Sequence, residues 1–196
     1  MDGQTLTNAN ILACLESSLI SLDPFEPANL KLAHYRLRAS QLWRPSLQFP
    51  DGSHDRSLVH DFQDGPFLFA PKEYLIVTPV EHITIQANLV GSVLPASTLI
   101  EQCFILTAGK IDPGYGRIGD RQQDFVMGLA NLLDEPNWFH PDRGIANISF
   151  VDFRGSPVLP TQWTVYERRS FRNRERLLRA ADDGPFYEED SWSEEG

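Results

Sequence analysis

A mainly β fold is what this sequence predicts, and three observations predict it. Short runs rich in β-branched and aromatic residues follow one another with turn signals roughly every 8–12 residues, as in a sandwich, jelly roll or barrel. Fourteen prolines and twelve phenylalanines in 196 residues suit a loop-rich β protein better than a helical bundle. At the centre, the apolar run Ile105-Leu106 ends in Thr107-Ala108-Gly109, and Lys110-Ile111 leads into Asp112-Pro113-Gly114. Proline presets φ and glycine supplies the conformation a side chain resists, so this stretch is a turn between two strands, a β-hairpin or a β-arch.

The elements follow in order. Thr7-Asn8-Ala9-Asn10 offers caps for a short helix that places Leu12, Leu15 and Leu19 on one face. Pro24 and Pro27 forbid regular helix and make residues 20–30 extended and irregular. Leu32 to Arg38 alternates and reads as a strand. Residues 44–66 are a polar, turn-rich insertion with one short strand, and its His54 and His60 read as solvent-facing rather than as ligands. Strands are expected at Phe67–Phe69, Tyr74–Thr78, 79–85 and 88–94. Phe125–Asn131 is a further strand. Asn137–His140, the turn at 141–144 and Ile145–Phe150 form a closing hairpin. Length and composition divide the chain into a β domain over 1–160, an arginine-rich extension over 161–180 and an acidic, disordered tail over 181–196.

Composition excludes several function classes. A net charge of −10 opposes bulk electrostatic binding of nucleic acid. Two cysteines far apart and five scattered histidines give neither a C-x-x-C nor an H-x-x-x-H spacing, so no metal site is expected. Without an 18-residue apolar run or a basic-then-apolar leader, a cytoplasmic protein off the membrane is expected.

The segment Thr107-Ala108-Gly109-Lys110-Ile111-Asp112-Pro113-Gly114-Tyr115 resembles the Thr-Ala-x-x-Ile-Asp-Pro-Gly-aromatic segment of the dCTP deaminase family, within the trimeric dUTPase-like superfamily. The resemblance extends to Asp23-Pro24-Phe25 with Asn29-Leu30, to Ala33-His34-Tyr35-Arg36-Leu37-Arg38, and to a proline turn followed by Thr78-Pro79-Val80-Glu81, close to the family's Thr-x-Glu step. It covers about residues 5–155. It implies a distorted β-barrel or jelly roll with a short N-terminal helix, a homotrimer, and a pyrimidine deoxynucleotide pocket between subunits. Thr107, Ala108, Lys110 and Tyr115 would line that pocket. Deamination in this family uses no metal, so no cofactor is expected, and magnesium enters only with a bound nucleoside triphosphate.

The same resemblance locates what is missing. The family's proton-carrying glutamate falls at Gly128, and the first-strand aspartate of the dUTPase branch falls at Arg36. The phosphate-binding segment corresponds to Ser92–Leu99, which holds three hydroxyls and no arginine. No Tyr-x-Gly-Gln-like C-terminal arm is visible. Asp112 keeps a residual catalytic case, because the matching aspartate of the dUTPase branch activates water. Arg117 and Arg121, on an insertion over 116–124, would be the relocated phosphate contacts if any exist. Three losses at three motifs argue for a lapsed deaminase serving as a nucleotide-binding or protein-interaction homo-oligomer. The alternative is an active dCTP deaminase or dUTP diphosphatase with relocated phosphate contacts.

Beyond residue 160, six arginines and one acid occupy 168–179, and seven acids with no base occupy 182–195. A helix over 163–180, which the resemblance leaves open, would bring Arg168, Arg172, Arg176 and Arg179 to one face. That face would dock an acidic partner protein or a phosphate-bearing ligand, with the tail competing for it.

Overall fold

The computed structural model describes residues 3–45, 47–48, 54–55, 57–86, 89–112, 117–118, 121–122 and 125–154. Among these residues strands dominate, arranged as two five-stranded antiparallel sheets and four two-stranded ribbons. The first sheet is built on Leu89–Pro95 and Ala146–Asp152, paired over seven rungs from Leu89↔Asp152 to Pro95↔Ala146. Gln4–Thr5 and Tyr35–Leu37 pair with the far side of Ala146–Asp152, and Lys110–Ile111 pairs with Leu89–Pro95. The second sheet runs in the order Phe104–Thr107, Met127–Asn131, Tyr74–Pro79, Ala39–Trp43, Leu58–Asp61. Among the described residues neither sheet closes on itself.

Period-two alternation fixes which face is buried. Leu89, Gly91 and Val93 point inward with Ala146, Ile148 and Phe150, while Val90, Ser92, Asn147 and Ser149 are half-exposed. In the second sheet, Phe104, Leu106, Met127, Leu129, Leu75 and Val77 point inward. Both inward sets belong to one core cluster, joined by an edge-packed aromatic group of Phe62, Phe69, Phe104 and Phe139.

The N-terminal helix spans Asn8–Glu16 and is capped as expected. Thr7 Oγ1 accepts from Asn10 N, while Asn10 Oδ1 accepts from Thr7 N and Oγ1. Its buried face differs from the one the leucines suggested. Ile11 and Cys14 are buried, with Leu15 packed beside them, and Leu12 is exposed. Positions 11, 14 and 15 form one helical stripe, and Leu12 lies about 100° away from Ile11 on the helix. Leu19, beyond the helix, packs on the core from the chain that follows.

Other expectations need correction. The strand expected over 32–38 is confined to Tyr35–Leu37, and the next strand, Ala39–Trp43, was not foreseen. Asn137–Phe139 and Ala146–Asp152 form no hairpin: the former pairs with Phe67–Phe69 and the latter with Leu89–Pro95. His60 is half-buried rather than solvent-facing, with its ring against Phe62 and Phe67 and its Nε2 2.9 Å from the Gly65 carbonyl. The arginine-rich extension with its possible helix, and the acidic tail, lie outside the described residues. Among the described residues, no helix is long and apolar enough to cross a membrane.

Buried polar groups bind the loops to this frame. The Glu81 carboxylate accepts from Arg38 Nε at 2.7 Å, from Arg38 N at 3.0 Å and from the Tyr35 hydroxyl at 3.4 Å. The Tyr35 hydroxyl in turn accepts from Glu26 N at 2.9 Å. Burial pushes the Tyr35 phenol above its ordinary pKa, and the bond to Glu81 raises that of the Arg38 guanidinium. Asn131 donates to the Ala70 and Glu135 carbonyls and accepts from Leu133 N.

Candidate functional site

Thr107 ends the edge strand of the second sheet, and its direct cross-strand partner is Gly128. On the other side of Gly128 stands Ile76 of Tyr74–Pro79. Thr107, Gly128 and Ile76 therefore share one outward rung, and Ile105, Ala130 and Tyr74 form the next. Apart from the Tyr74 phenol, these two rungs carry no ionisable side chain. A Cβ at Gly128 would lie 2.0 Å from the Tyr74 hydroxyl oxygen, 2.5 Å from Tyr74 Cζ and 2.1 Å from Thr107 Oγ1. The phenol thus lies over the glycine and occupies the space where a side chain would begin. Its hydroxyl reaches Thr107 Oγ1 at 3.4 Å.

Beyond Thr107 the chain changes sheets. Thr107 belongs to the second sheet, Lys110 pairs with Ser92 in the first, and Gly109 O accepts from Val93 N at 3.2 Å. The chain therefore arches between the sheets at Ala108 and Gly109, and the turn expected at Asp112-Pro113-Gly114 lies outside the described residues from Pro113 on. Thr107, Ala108, Lys110 and Asp112 are brought together on this arch, all exposed. Among the described residues, neither the Lys110 ammonium nor the Asp112 carboxylate has a hydrogen-bond or ion-pair partner. Tyr115 lies outside the described residues, as do Arg168, Arg172, Arg176 and Arg179. Arg117 and Arg121 stand on successive rungs of a two-residue ribbon, with Arg117 opposite Gln122 and Ile118 opposite Arg121.

The segment after Gly91 contributes no cation. Ser92 faces Lys110 and Ser149 in the ladder, and the Thr98 hydroxyl donates to the Arg143 carbonyl at 3.4 Å. Leu94, at 63%, and Ser97 are its exposed side chains, with Ile100 just beyond at 61%, where a phosphate clamp would need guanidinium groups.

Arg36 sits in the first sheet opposite Asn147, away from the Thr107–Gly128 rung. Its stem crosses Gly144, whose Cβ would lie 2.5 Å from Arg36 Cδ. Arg36 Nε and Asn147 Oδ1 are both buried without a hydrogen-bond partner among the described residues. Burial, then the charges of Arg36 and Lys31, hold the His34 pKa below its ordinary value. Gly144 has φ 72° and ψ 150°, a conformation that L side chains resist. Gly144→Ala therefore costs about 2 kcal/mol of stability, read as a lower midpoint in urea with an unchanged slope.

A cleft of about 660 Å³ opens elsewhere, between Gln4–Thr5, the N-terminal helix and the end of Ala146–Asp152. Cys14, its thiol pushed up by burial, and the Asp152–Arg154 pair line it, and none of the site residues named from the sequence does. Sequence reasoning missed Tyr74 and the structural role of Glu81. For Tyr74 the signal was the alternation of Tyr74-Leu75-Ile76-Val77, which puts Tyr74 and Ile76 on the outward row.

The comparisons agree with this architecture. A sequence model of the dCTP deaminase-like family matches residues 5–153. The chain is 26% identical over 159 residues to "dCTP deaminase, dUMP-forming" of Methanothermobacter thermautotrophicus, covering 74% of this chain and 77% of that relative. It is 26% identical over 176 residues to the protein of the same name from Tropheryma whipplei, covering 81% and 86%. The crystal structure of 2'-deoxycytidine 5'-triphosphate deaminase from Agrobacterium tumefaciens superposes with a TM-score of 0.56 at 13% identity. That match covers 78% of this chain and about half, 49%, of the Agrobacterium chain, and it shows a shared fold. With the family match running from the first strand to the last described one, this chain belongs to the dCTP deaminase-like family.

Proposed function

We propose that this protein is a dCTP deaminase-like homo-oligomer without deaminase activity, working in the cytoplasm as a nucleotide-binding or protein-interaction subunit. The observation that carries the reading is the Thr107–Gly128 rung: the residue to which the resemblance assigns the proton-carrying glutamate is a glycine, and Tyr74 lies over it. Replacing the amino group of a cytosine ring requires water to be activated and a proton to be delivered, work for a group whose pKa is near the operating pH. Gly128 supplies no such group. The transition state of phosphate chemistry requires cations on developing charge. The hydroxyl-bearing segment from Ser92 to Leu99 supplies none, which leaves Asp112 without a clamp. The relatives named dCTP deaminase set the expected pocket ligand, a pyrimidine deoxynucleotide, with magnesium entering only on a triphosphate.

A second reading, an active pyrimidine deoxynucleotide enzyme with relocated phosphate contacts, draws on the Arg117–Arg121 ribbon that follows the arch. Incubation with dCTP, dUTP and dTTP, followed by chromatography, separates the two. All three are recovered unchanged under the first reading; dUMP or dUTP from dCTP, or dUMP from dUTP, establishes the second. The same sample in light scattering is expected at three times the chain mass of 22.2 kDa, a homotrimer. The arginine face at Arg168, Arg172, Arg176 and Arg179 is the proposed docking surface for an acidic partner.

A further inference from the structure

We propose that Tyr74 is a gate on the Thr107 notch: its phenol, resting on Gly128, closes the place where a pyrimidine nucleoside would meet Thr107 and Ala108. The inference rests on the reading of this arch as a nucleoside pocket and adds a residue that controls its occupancy. Three observations carry it. The closed pose exists only because position 128 has no side chain, since any Cβ would overlap both the Tyr74 and the Thr107 oxygens. The pose is lightly held: Tyr74 is 42% exposed, and a 3.4 Å contact to Thr107 Oγ1 is its side-chain hydrogen bond. Its neighbours on the outward rungs, Ile76, Ile105 and Ala130, give the ring an uncharged surface to lie on. The hydroxyl that bonds Thr107 also uses the group a nucleoside would need.

A closed gate lowers apparent affinity by the fraction of time it is open. Removing it raises affinity by the inverse of that fraction without any new contact. Deoxycytidine is the probe, because the nucleoside needs no phosphate clamp, and the full-length protein is titrated by saturation-transfer NMR. Tyr74→Ala removes the gate. Gly128→Ala keeps the phenol and excludes its closed pose. Tyr74→Ala is expected to bind deoxycytidine about tenfold more tightly than the natural protein; Gly128→Ala, whose methyl also displaces the Thr107 hydroxyl, gains less, as does Tyr74→Phe, which keeps the ring over the glycine. Melting curves establish that each variant is folded. If Tyr74→Ala and Gly128→Ala both bind no more tightly than the natural protein, the gate is refuted. If only one variant folds, its titration decides alone. Deamination of dCTP by the natural protein would overturn the lapsed-enzyme reading and leave the gate standing, so the two failures are distinct.

Discussion

Replacing Glu81 with alanine is expected to lower the free energy of unfolding by about 3 kcal/mol, at the lower end of what removing one partner of a buried ion pair costs. The carboxylate is 1% exposed and satisfies the Arg38 guanidinium, the Arg38 amide and the Tyr35 hydroxyl at once. Truncation strands all three. The Arg38 side chain is 35% exposed, so its charge regains water, and this holds the loss toward the lower end. The Arg38 amide and the Tyr35 ring are less free to do so. For a domain of this size the change corresponds to a melting point lower by about 10 °C. Glu81→Gln keeps the shape and one acceptor and is expected to lose less. A urea titration of both variants checks the ordering; a loss below 1 kcal/mol for Glu81→Ala would mean that water already reaches the carboxylate.

Phe139→Ala is expected to cost about 4 kcal/mol, the lost transfer energy of the ring plus the cavity it leaves. Phe139 is 1% exposed, with ring centroids 5.2 Å from Phe62, 5.6 Å from Phe104 and 6.3 Å from Phe69. These rings come from four elements, so the cavity has walls that cannot collapse together. The Asn137–Phe139 strand is held by one short ribbon with Phe67–Phe69, and this ring is its anchor in the core. Phe139→Leu is expected to lose roughly half as much, because it fills part of the space. Chemical denaturation of the pair tests this, and equal losses would show that refilling the space recovers nothing, against the cavity account.

The sequence made the central strands legible because each face of Leu89–Pro95 and Tyr74–Pro79 meets a different environment. Ala39-Ser40-Gln41-Leu42-Trp43 was not legible: its one fully buried large side chain, Leu42, stands between polar and half-buried neighbours. The expected closing hairpin failed for another reason. Asn137–Phe139 and Ala146–Asp152 are adjacent in sequence, but the 3-10 turn at Pro141–Arg143 carries the chain between sheets, and neither periodicity nor composition encodes that step. The helix face was misread because leucine was weighted above position, while the buried stripe begins at Ile11 and Cys14.

At the site, the family resemblance located Thr107 and the lost glutamate at Gly128, and the ladder makes those two residues direct partners. Tyr74 stayed invisible. Its approach to Gly128 depends on the register between Tyr74–Pro79 and Met127–Asn131, a contact between residues 54 positions apart in the chain. Register is set by both strands together and by the core beneath them, not by either run alone. Arg117 and Arg121 were named from their residue type, and their ribbon was not foreseen.

On the proposed reading, the deaminase site is emptied at Gly128 and covered by Tyr74. A crystal structure of the natural protein grown with dCTP tests it most directly. The expected result is the Tyr74 ring over Gly128, its hydroxyl toward Thr107, in every subunit without nucleotide, and no carboxylate within reach of the amino-bearing carbon of any cytosine ring that is seated there. A cytosine ring seated against Thr107 and Ala108, with Tyr74 displaced and a carboxylate within reach of its amino-bearing carbon, would contradict it.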